Sequence, residues 1–205
     1  MILYLLTILF CVAILISLNI LFSVPFFGFN GGYVFFAVTI SLIGVIAIDG
    51  IIAFLSHRLP KKCVNPFLKI FLVSKKEKLF YEKLGVKYFK NYLPDLGFLC
   101  NFRKRKIEQP KNKEYIFKYL QESCYGEIGH NISAIFGFLV IFILPLDYVY
   151  CFGIPIGVVN VVLNIMPTIA LRYNRYKLIN IYKKLEHTDP IVLDEELENK
   201  VITSK

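Results

Sequence analysis

Long apolar runs separated by polar stretches occupy both ends of the chain. The first run covers residues 1–27 and the second covers Tyr33–Leu55, with a glycine-containing, uncharged turn between them. A later run is densest over Ile132–Leu146, and the last covers Phe152–Leu171 and ends at Arg172. Because a helix needs about 20 apolar residues to cross a bilayer, this pattern predicts four transmembrane helices arranged as two hairpins.

The third run falls short of the roughly 20 residues that a span requires. Its helix is therefore expected to begin near Glu127–His130, which places these polar residues at the membrane boundary. Asp49 is the one charged residue of the second run and lies under two turns from its end. An acidic residue inside a span carries a cost, so its presence suggests a function.

The sequence between the two hairpins is basic and contains many aromatic residues. Its densest basic runs are Lys75–Lys76 and Arg103–Lys106. Pro66–Val73 is short and amphipathic, and it is predicted to lie in the plane of the membrane interface. A helix is predicted over Glu77–Asn91, ahead of a proline, and another over Lys113–Ser123. The first of these helices contains a glycine, Gly85, where an interruption is expected.

Lysine and arginine are missing from both predicted turns between spans and concentrate in the central segment and the tail. The positive-inside rule therefore places both termini and the central segment in the cytoplasm, as parts of a multi-pass cell-membrane protein. The expected organisation is an N-terminal transmembrane hairpin, a mostly helical basic cytoplasmic or interfacial segment, a C-terminal hairpin and a cytoplasmic tail, over residues 1–56, 57–126, 127–172 and 173–205.

Composition agrees with an all-α integral membrane protein. The 205 residues are 56% hydrophobic and carry a formal net charge of +9, so the basic residues crowd into the short polar part. Such crowding favours membrane lipids with anionic headgroups or a phosphate-bearing substrate as partner, and argues against nucleic acid.

The five cysteines form no C-x-x-C pair, which argues against a disulfide framework or a zinc site. Cys124 would be a catalytic nucleophile only if its thiol pKa were lowered.

The predicted topology brings polar residues from three spans to one membrane face. Glu127 and His130 at the start of the third span should lie level with Arg172 and Arg175 at the end of the fourth, with Asp49 at a similar depth. This convergence is the strongest indication of a site. The purely structural interpretation of Asp49 is a salt bridge to Arg58 or Arg172 that holds the helices together.

Glu127 and His130 are three residues apart and share a helix face. In one interpretation the glutamate holds the imidazole in one tautomer and leaves the other nitrogen as a general base. The same spacing can ligate a metal, with Glu122 and Asp49 as the additional ligands available. It can also be an interfacial polar pair that caps the span. Arg172 and Arg175 could clamp phosphate or carboxylate, or act only as a positive-inside stop signal.

Three blocks of the sequence resemble the glycosyl-4,4'-diaponeurosporenoate acyltransferase family. They are Tyr81–Lys90 with the following Leu93–Asp95, Glu122–His130, and Asn164–Pro167 with Arg172–Leu178. The resemblance extends over about residues 77–184. It departs from the family pattern at Phe89, Asn131 and Tyr176, and it implies transfer of a fatty acyl chain to a glycosylated carotenoid, as in staphyloxanthin synthesis.

The favoured hypothesis is a membrane acyltransferase-like enzyme that acts on a lipid-linked or glycosylated acceptor at the cytoplasmic leaflet. His130 would be the general base and Glu127 would orient it. Substrate would be bound or positioned by seven further residues: Asp49, Glu122, Asn164, Arg172, Tyr173, Asn174 and Arg175. No metal or resident cofactor is expected; acyl-CoA or an acyl carrier protein would be the acyl donor.

Two alternatives belong to other classes. A non-catalytic membrane or lipid-binding partner subunit would tolerate replacement of Glu127 and His130 but not of the basic segment. A metal-dependent membrane hydrolase would need further ligands beside those two residues. The oligomeric state is left open by the sequence.

Overall fold

The computed structural model describes residues 2–93, 107–143 and 149–186. Every regular element in these ranges is helical, as predicted, and they contain no β-strand. Four predicted features lie outside the described residues: the proline that ends the Glu77–Asn91 helix, the basic run Arg103–Lys106, the turn at Asp147, and the tail beyond Glu186.

The N-terminal apolar run is helical along its whole described length. It comprises α1 (Ile2–Leu18), a π-helical stretch (Asn19–Ser23) and α2 (Val24–Phe27). The second run forms α3 (Gly31–Ser56). Asn30 caps α3, since its side chain accepts hydrogen bonds from the backbone N–H groups of the first turn, which would otherwise lack partners.

The central segment contains short helices joined by turns. Lys61–Val64 is a 3₁₀ turn, α4 covers Lys75–Lys83 and α5 covers Val86–Phe89. The predicted interruption is confirmed at Gly85, whose φ of +78° lies in the left-handed region. Pro66–Val73 forms a series of turns, so its amphipathic character is not that of a helix.

The C-terminal half contains two long helices. One, α6, covers Lys113–Phe136 and continues as a 3₁₀ segment, Gly137–Ile143. The other begins as a π-helical stretch, Val149–Gly153, and becomes α7 (Ile154–Glu186). Thus α6 runs without a break through the position where the polar segment was expected to give way to the third span. Similarly, α7 does not stop at Arg172 but continues for several turns.

Helices α6 and α7 pack against each other as an antiparallel pair, and α3 lies against α6. One apolar cluster joins α6 to the extension of α7 through Ile116, Leu120 and Leu178. A second, around Val34 and Phe152, joins α3 to the π-helical start of α7. The three helices therefore hold the polar residues considered below in fixed mutual positions.

Two helices are long and apolar enough to cross a membrane, Gly31–Ser56 and Cys151–Glu186. Only 17% of the most apolar stretch of the first and 28% of that of the second are buried inside the protein. Core helices of a soluble domain would be mostly buried, so these low values favour membrane association. Among the described residues the structure thus supplies two candidate spans, whereas the sequence predicted four.

Gly137→Ala is expected to lower the free energy of unfolding by about 1–3 kcal/mol, the usual cost of overpacking. A Cβ at this position would lie 1.9 Å from Nδ2 of Asn160, and that amide is held by a hydrogen bond to the Ser133 carbonyl. Thermal unfolding in detergent measures the effect. Gly50→Ala is the control, since a Cβ there meets no atom of the described residues within 4 Å; equal destabilisation of both variants would contradict the prediction.

Candidate functional site

Glu127 lies at the centre of a buried charge cluster between α6 and α7. The residue is only 4% exposed. Its Oε1 accepts a hydrogen bond from Arg172 Nη1 at 2.5 Å, and its Oε2 accepts one from Arg175 Nη1. Together with Glu77 and Ser123, these residues are called the arginine cluster below.

Arg175 is completely buried, at 0% exposure. Its Nε donates to Ser123 Oγ at 2.8 Å, and its Nη2 donates to the Ser123 carbonyl at 2.7 Å. A further bond from Nη1 reaches the Phe71 carbonyl at 3.3 Å. With the bond to Glu127, four of the five N–H donors that a guanidinium offers are in use.

Arg172 connects the same carboxylate to the central segment. Its Nε donates to Glu77 Oε1 on α4 at 2.6 Å. Its Nη1 and Nη2 donate to the carbonyls of Ile70 and Leu72, at 2.9 and 3.3 Å. The turns before α4 are therefore fixed to the helix pair by arginine side chains that satisfy their backbone carbonyls.

Tyr81 closes the outer edge of the cluster. Its hydroxyl donates to Glu77 Oε1 at 2.5 Å. Burial, together with this carboxylate, raises the pKa of Tyr81 to about 12, so the phenol remains a donor at neutral pH. Burial alone would raise the pKa of Glu77, but the hydrogen bonds from Arg172 and Tyr81 outweigh it and lower the pKa below its usual value.

These contacts change the interpretation of the two arginines. The sequence left open whether they clamp phosphate or carboxylate, or act only as a positive-inside stop signal. However, Arg175 has no exposed surface, and both guanidinium groups are engaged by carboxylates and backbone carbonyls. Their position is that of a structural connection between α4, α6 and α7.

His130 belongs to a second polar group, one turn further along α6. Its Nδ1 lies 2.9 Å from Oδ1 of Asn164 on α7. The Nδ2 of Asn164 lies 3.2 Å from Oδ2 of Asp49 on α3. Three residues from three different helices are thus connected in series, and they are called the His130 relay below.

The surroundings of Asn164 decide the orientation of its amide. Besides Asp49, its Nδ2 lies 3.1 Å from the Asn160 carbonyl and 2.9 Å from Asn160 Oδ1. All three neighbours are oxygen acceptors, so the reversed amide would place oxygen against oxygen. Oδ1 must therefore face the imidazole, and neutral His130 carries its proton on Nδ1 and its lone pair on Nε2.

The structure corrects one part of the predicted pairing. Glu127 was expected to orient His130, but both of its carboxylate oxygens accept hydrogen bonds from arginines. The orienting contact on Nδ1 is made by Asn164 instead. A carboxylate between two guanidinium groups gains more from them than from a neutral imidazole, which explains the difference.

The other predicted site residues lie apart from the relay. Tyr173 donates its hydroxyl to Glu82 Oε1 on α4 at 3.1 Å. Glu122 lies 3.6 Å from Nε2 of His57, and Asn174 is half-buried on α7. The described residues contain no group of three or more His, Cys, Asp or Glu side chains that could hold a metal ion.

Asn160 and Ser123 are functional neighbours that the sequence analysis did not single out. Asn160 is buried, and its Nδ2 donates to the Ser133 carbonyl at 3.0 Å, so it anchors Asn164 to α6. One signal was available: Asn160 and Asn164 are four residues apart in an apolar run and so share a helix face. Ser123 had no comparable signal.

Cys124 is expected to resist alkylation and to be dispensable for activity. It is fully buried, and burial raises its thiol pKa to about 11, the opposite of what a nucleophile needs. At pH about 8 the thiolate fraction should be far below that of an ordinary cysteine, whose pKa is about 8.5. Mass spectrometry after iodoacetamide treatment should find Cys63, which is exposed, labelled well before Cys124. Rapid labelling of Cys124, or inactivity of Cys124→Ala, would restore it as a candidate.

Comparison with known protein families identifies a match over much of the chain. The model of the glycosyl-4,4'-diaponeurosporenoate acyltransferase family matches residues 65–184. No curated protein and no solved structure matches the chain. The matched range contains the whole arginine cluster, together with His130 and Asn164, but it does not reach Asp49.

Proposed function

The chain belongs to the glycosyl-4,4'-diaponeurosporenoate acyltransferase family, whose model covers more than half of it, and from that premise we propose that it is a membrane acyltransferase. It transfers a fatty acyl group to a hydroxyl of a lipid-linked or glycosylated acceptor. A carotenoid glycoside is the acceptor that the family name suggests.

The observation that carries the mechanism is the orientation of His130 by Asn164. An imidazole with its proton held on Nδ1 presents the lone pair of Nε2 as a general base. His130 accepts the proton of the acceptor hydroxyl as its oxygen attacks the acyl carbonyl carbon. The bond to the leaving thiolate then breaks, and the imidazolium returns the proton to that sulfur. Acyl-CoA or an acyl carrier protein supplies the thioester.

The arginine cluster supports this chemistry indirectly. Glu127 lies one turn before His130 on α6, and its two arginine partners both belong to α7. The cluster therefore fixes the register of α6 against α7, on which the contact between His130 and Asn164 depends. Tyr173 and Asn174, on the same part of α7, are proposed to position the donor near α4.

For the membrane arrangement we propose four spans as two hairpins, with the relay near the cytoplasmic leaflet. Large apolar side chains are exposed along the N-terminal helix, α3 and α7, as lipid-facing residues would be; examples are Phe10, Ile46 and Val162. The lysines and arginines of the central segment, and those at the end of α7, favour the cytoplasmic side. Anionic lipid headgroups are the expected partners of these basic residues.

Lipid analysis of cells tests the assignment. Cells that express the chain should contain an O-acylated lipid or glycoside that is missing from cells expressing His130→Gln at equal protein level. Feeding an isotope-labelled fatty acid should place the label in an ester of that product. Identical lipid profiles in the two cell lines would overturn the assignment and favour the non-catalytic lipid-binding alternative.

A further inference from the structure

We infer that Asp49 is a positioning residue for His130 and acts through Asn164. This inference rests on the proposed role of His130 as a base. It assigns part of the site to α3, a helix that lies outside the range matched by the family model. The N-terminal apolar sequence would then contribute to catalysis as well as to membrane attachment.

The contact between Asp49 and Asn164 has a defined direction. Oδ2 of Asp49 accepts from Nδ2 of Asn164, and the carbonyl end of the same amide faces Nδ1 of His130. A negative charge at the nitrogen end polarises the amide and makes its oxygen a stronger acceptor. The carboxylate therefore favours the proton on Nδ1, and it favours the imidazolium that forms when Nε2 takes a second proton.

Within the part of the chain that the structure describes, the salt bridges that would give Asp49 a merely structural role are not formed. Arg172 pairs with Glu77 and Glu127. Arg58 lies over the ring of Phe54, 4.3 Å from its centroid. Among the described residues, Oδ1 of Asp49 is buried and has no hydrogen-bond partner. An incompletely paired carboxylate inside an apolar helix is costly to keep, which favours a catalytic reason for its presence.

Two substitutions separate charge from hydrogen bonding. In Asp49→Asn, an amide oxygen can still accept from Asn164, but the charge is lost. In Asp49→Leu, both are lost. We expect kcat to fall about tenfold for Asp49→Asn and further for Asp49→Leu. Both losses should be smaller than that caused by removing the general base itself. KM should change little, because Asp49 acts through another residue and not on the substrate.

Nitrogen-15 spectra of histidine-labelled protein in detergent report the relay without any activity assay. The spectrum of the wild-type chain should show His130 as the Nδ1–H tautomer, with the signal assigned by its loss in His130→Gln. Asp49→Leu should increase the Nε2–H population. Ser41→Ala is the matched control. Ser41 is also a buried polar residue of α3 whose hydroxyl has no hydrogen-bond partner in the described ranges, but it lies more than two turns from Asp49.

The outcomes separate the two proposals. If Asp49→Leu leaves both the tautomer and kcat unchanged while His130→Gln is inactive, this inference fails and the proposed function stands. If His130→Gln is active, the proposed function fails, whatever the tautomer shows. A thermal midpoint for Asp49→Leu equal to or above the wild-type value is expected, because a buried charge is removed; a large fall would indicate a structural role and overturn the inference.

Discussion

Glu127→Leu is expected to lower the free energy of unfolding by about 3–5 kcal/mol, because it leaves a buried charge without its counter-ion. Arg175 is completely buried and cannot turn to solvent, and Glu127 is its carboxylate partner in the described structure. Arg172 loses one of two carboxylates but keeps Glu77. The loss of stability should therefore come mainly from the unpaired charge of Arg175 and from weaker packing of α6 against α7.

Thermal unfolding in detergent micelles, followed by circular dichroism, measures this loss. Glu82→Leu is the control, since Glu82 on α4 is only partly buried and contacts Lys78, Lys87 of α5 and the Tyr173 hydroxyl. Pairs that solvent reaches contribute little. The double variant Glu127→Leu, Arg175→Met should recover part of the stability, because removing a whole buried pair is often nearly neutral. Similar midpoints for Glu127→Leu and Glu82→Leu would show that the arginine cluster is not the connection described.

His130→Gln is expected to reduce kcat by about 100- to 10,000-fold, the contribution typical of a general base. Stability should change little, because His130 is half-buried and the glutamine amide can still donate a hydrogen bond toward Asn164. The side chain of glutamine cannot accept a proton at neutral pH, so the fall in kcat measures the contribution of His130 as a base. Acyl transfer by the purified protein, measured from a thioester donor, gives the rate.

His57→Gln serves as the matched control for His130→Gln. His57 lies 3.6 Å from Glu122, and its ring stacks on Tyr125; these described contacts are with residues outside the relay. We expect its activity to remain within a few-fold of the wild-type value. Equal losses in both variants would point to a general disturbance of the helix packing. A large loss in His57→Gln alone would move the site to the contact between His57 and Glu122.

The convergence of polar residues followed from the sequence because it depends on helix length and charge alone. The short third run required Glu127 and His130 at the start of a span, and the hairpin required Arg172 and Arg175 opposite them. In the structure Glu127 contacts both arginines, and His130 contacts α7. The helix break at Gly85 was likewise predictable, since glycine readily adopts a positive φ.

The roles within the site were harder to predict, because they depend on burial and on competition between partners. Hydropathy does not reveal that Arg175 points inward, and helix spacing alone made Glu127 the natural partner of His130. Whether Glu127 pairs with an arginine or with His130 depends on where α7, a distant part of the sequence, places its arginine side chains. The long extension of α7 beyond Arg172 follows from packing of Leu178 and Ile179 against α6, which the basic local sequence obscures.

The division between the two polar groups has an evolutionary consequence. Every side chain of the arginine cluster lies within the family range, whereas the His130 relay ends at Asp49, on a helix outside it. Substitutions in α3 can therefore alter the basicity of the imidazole without touching the contacts that hold α4, α6 and α7 together. Changes in the N-terminal half can therefore retune the reaction while the contacts among α4, α6 and α7 remain unchanged.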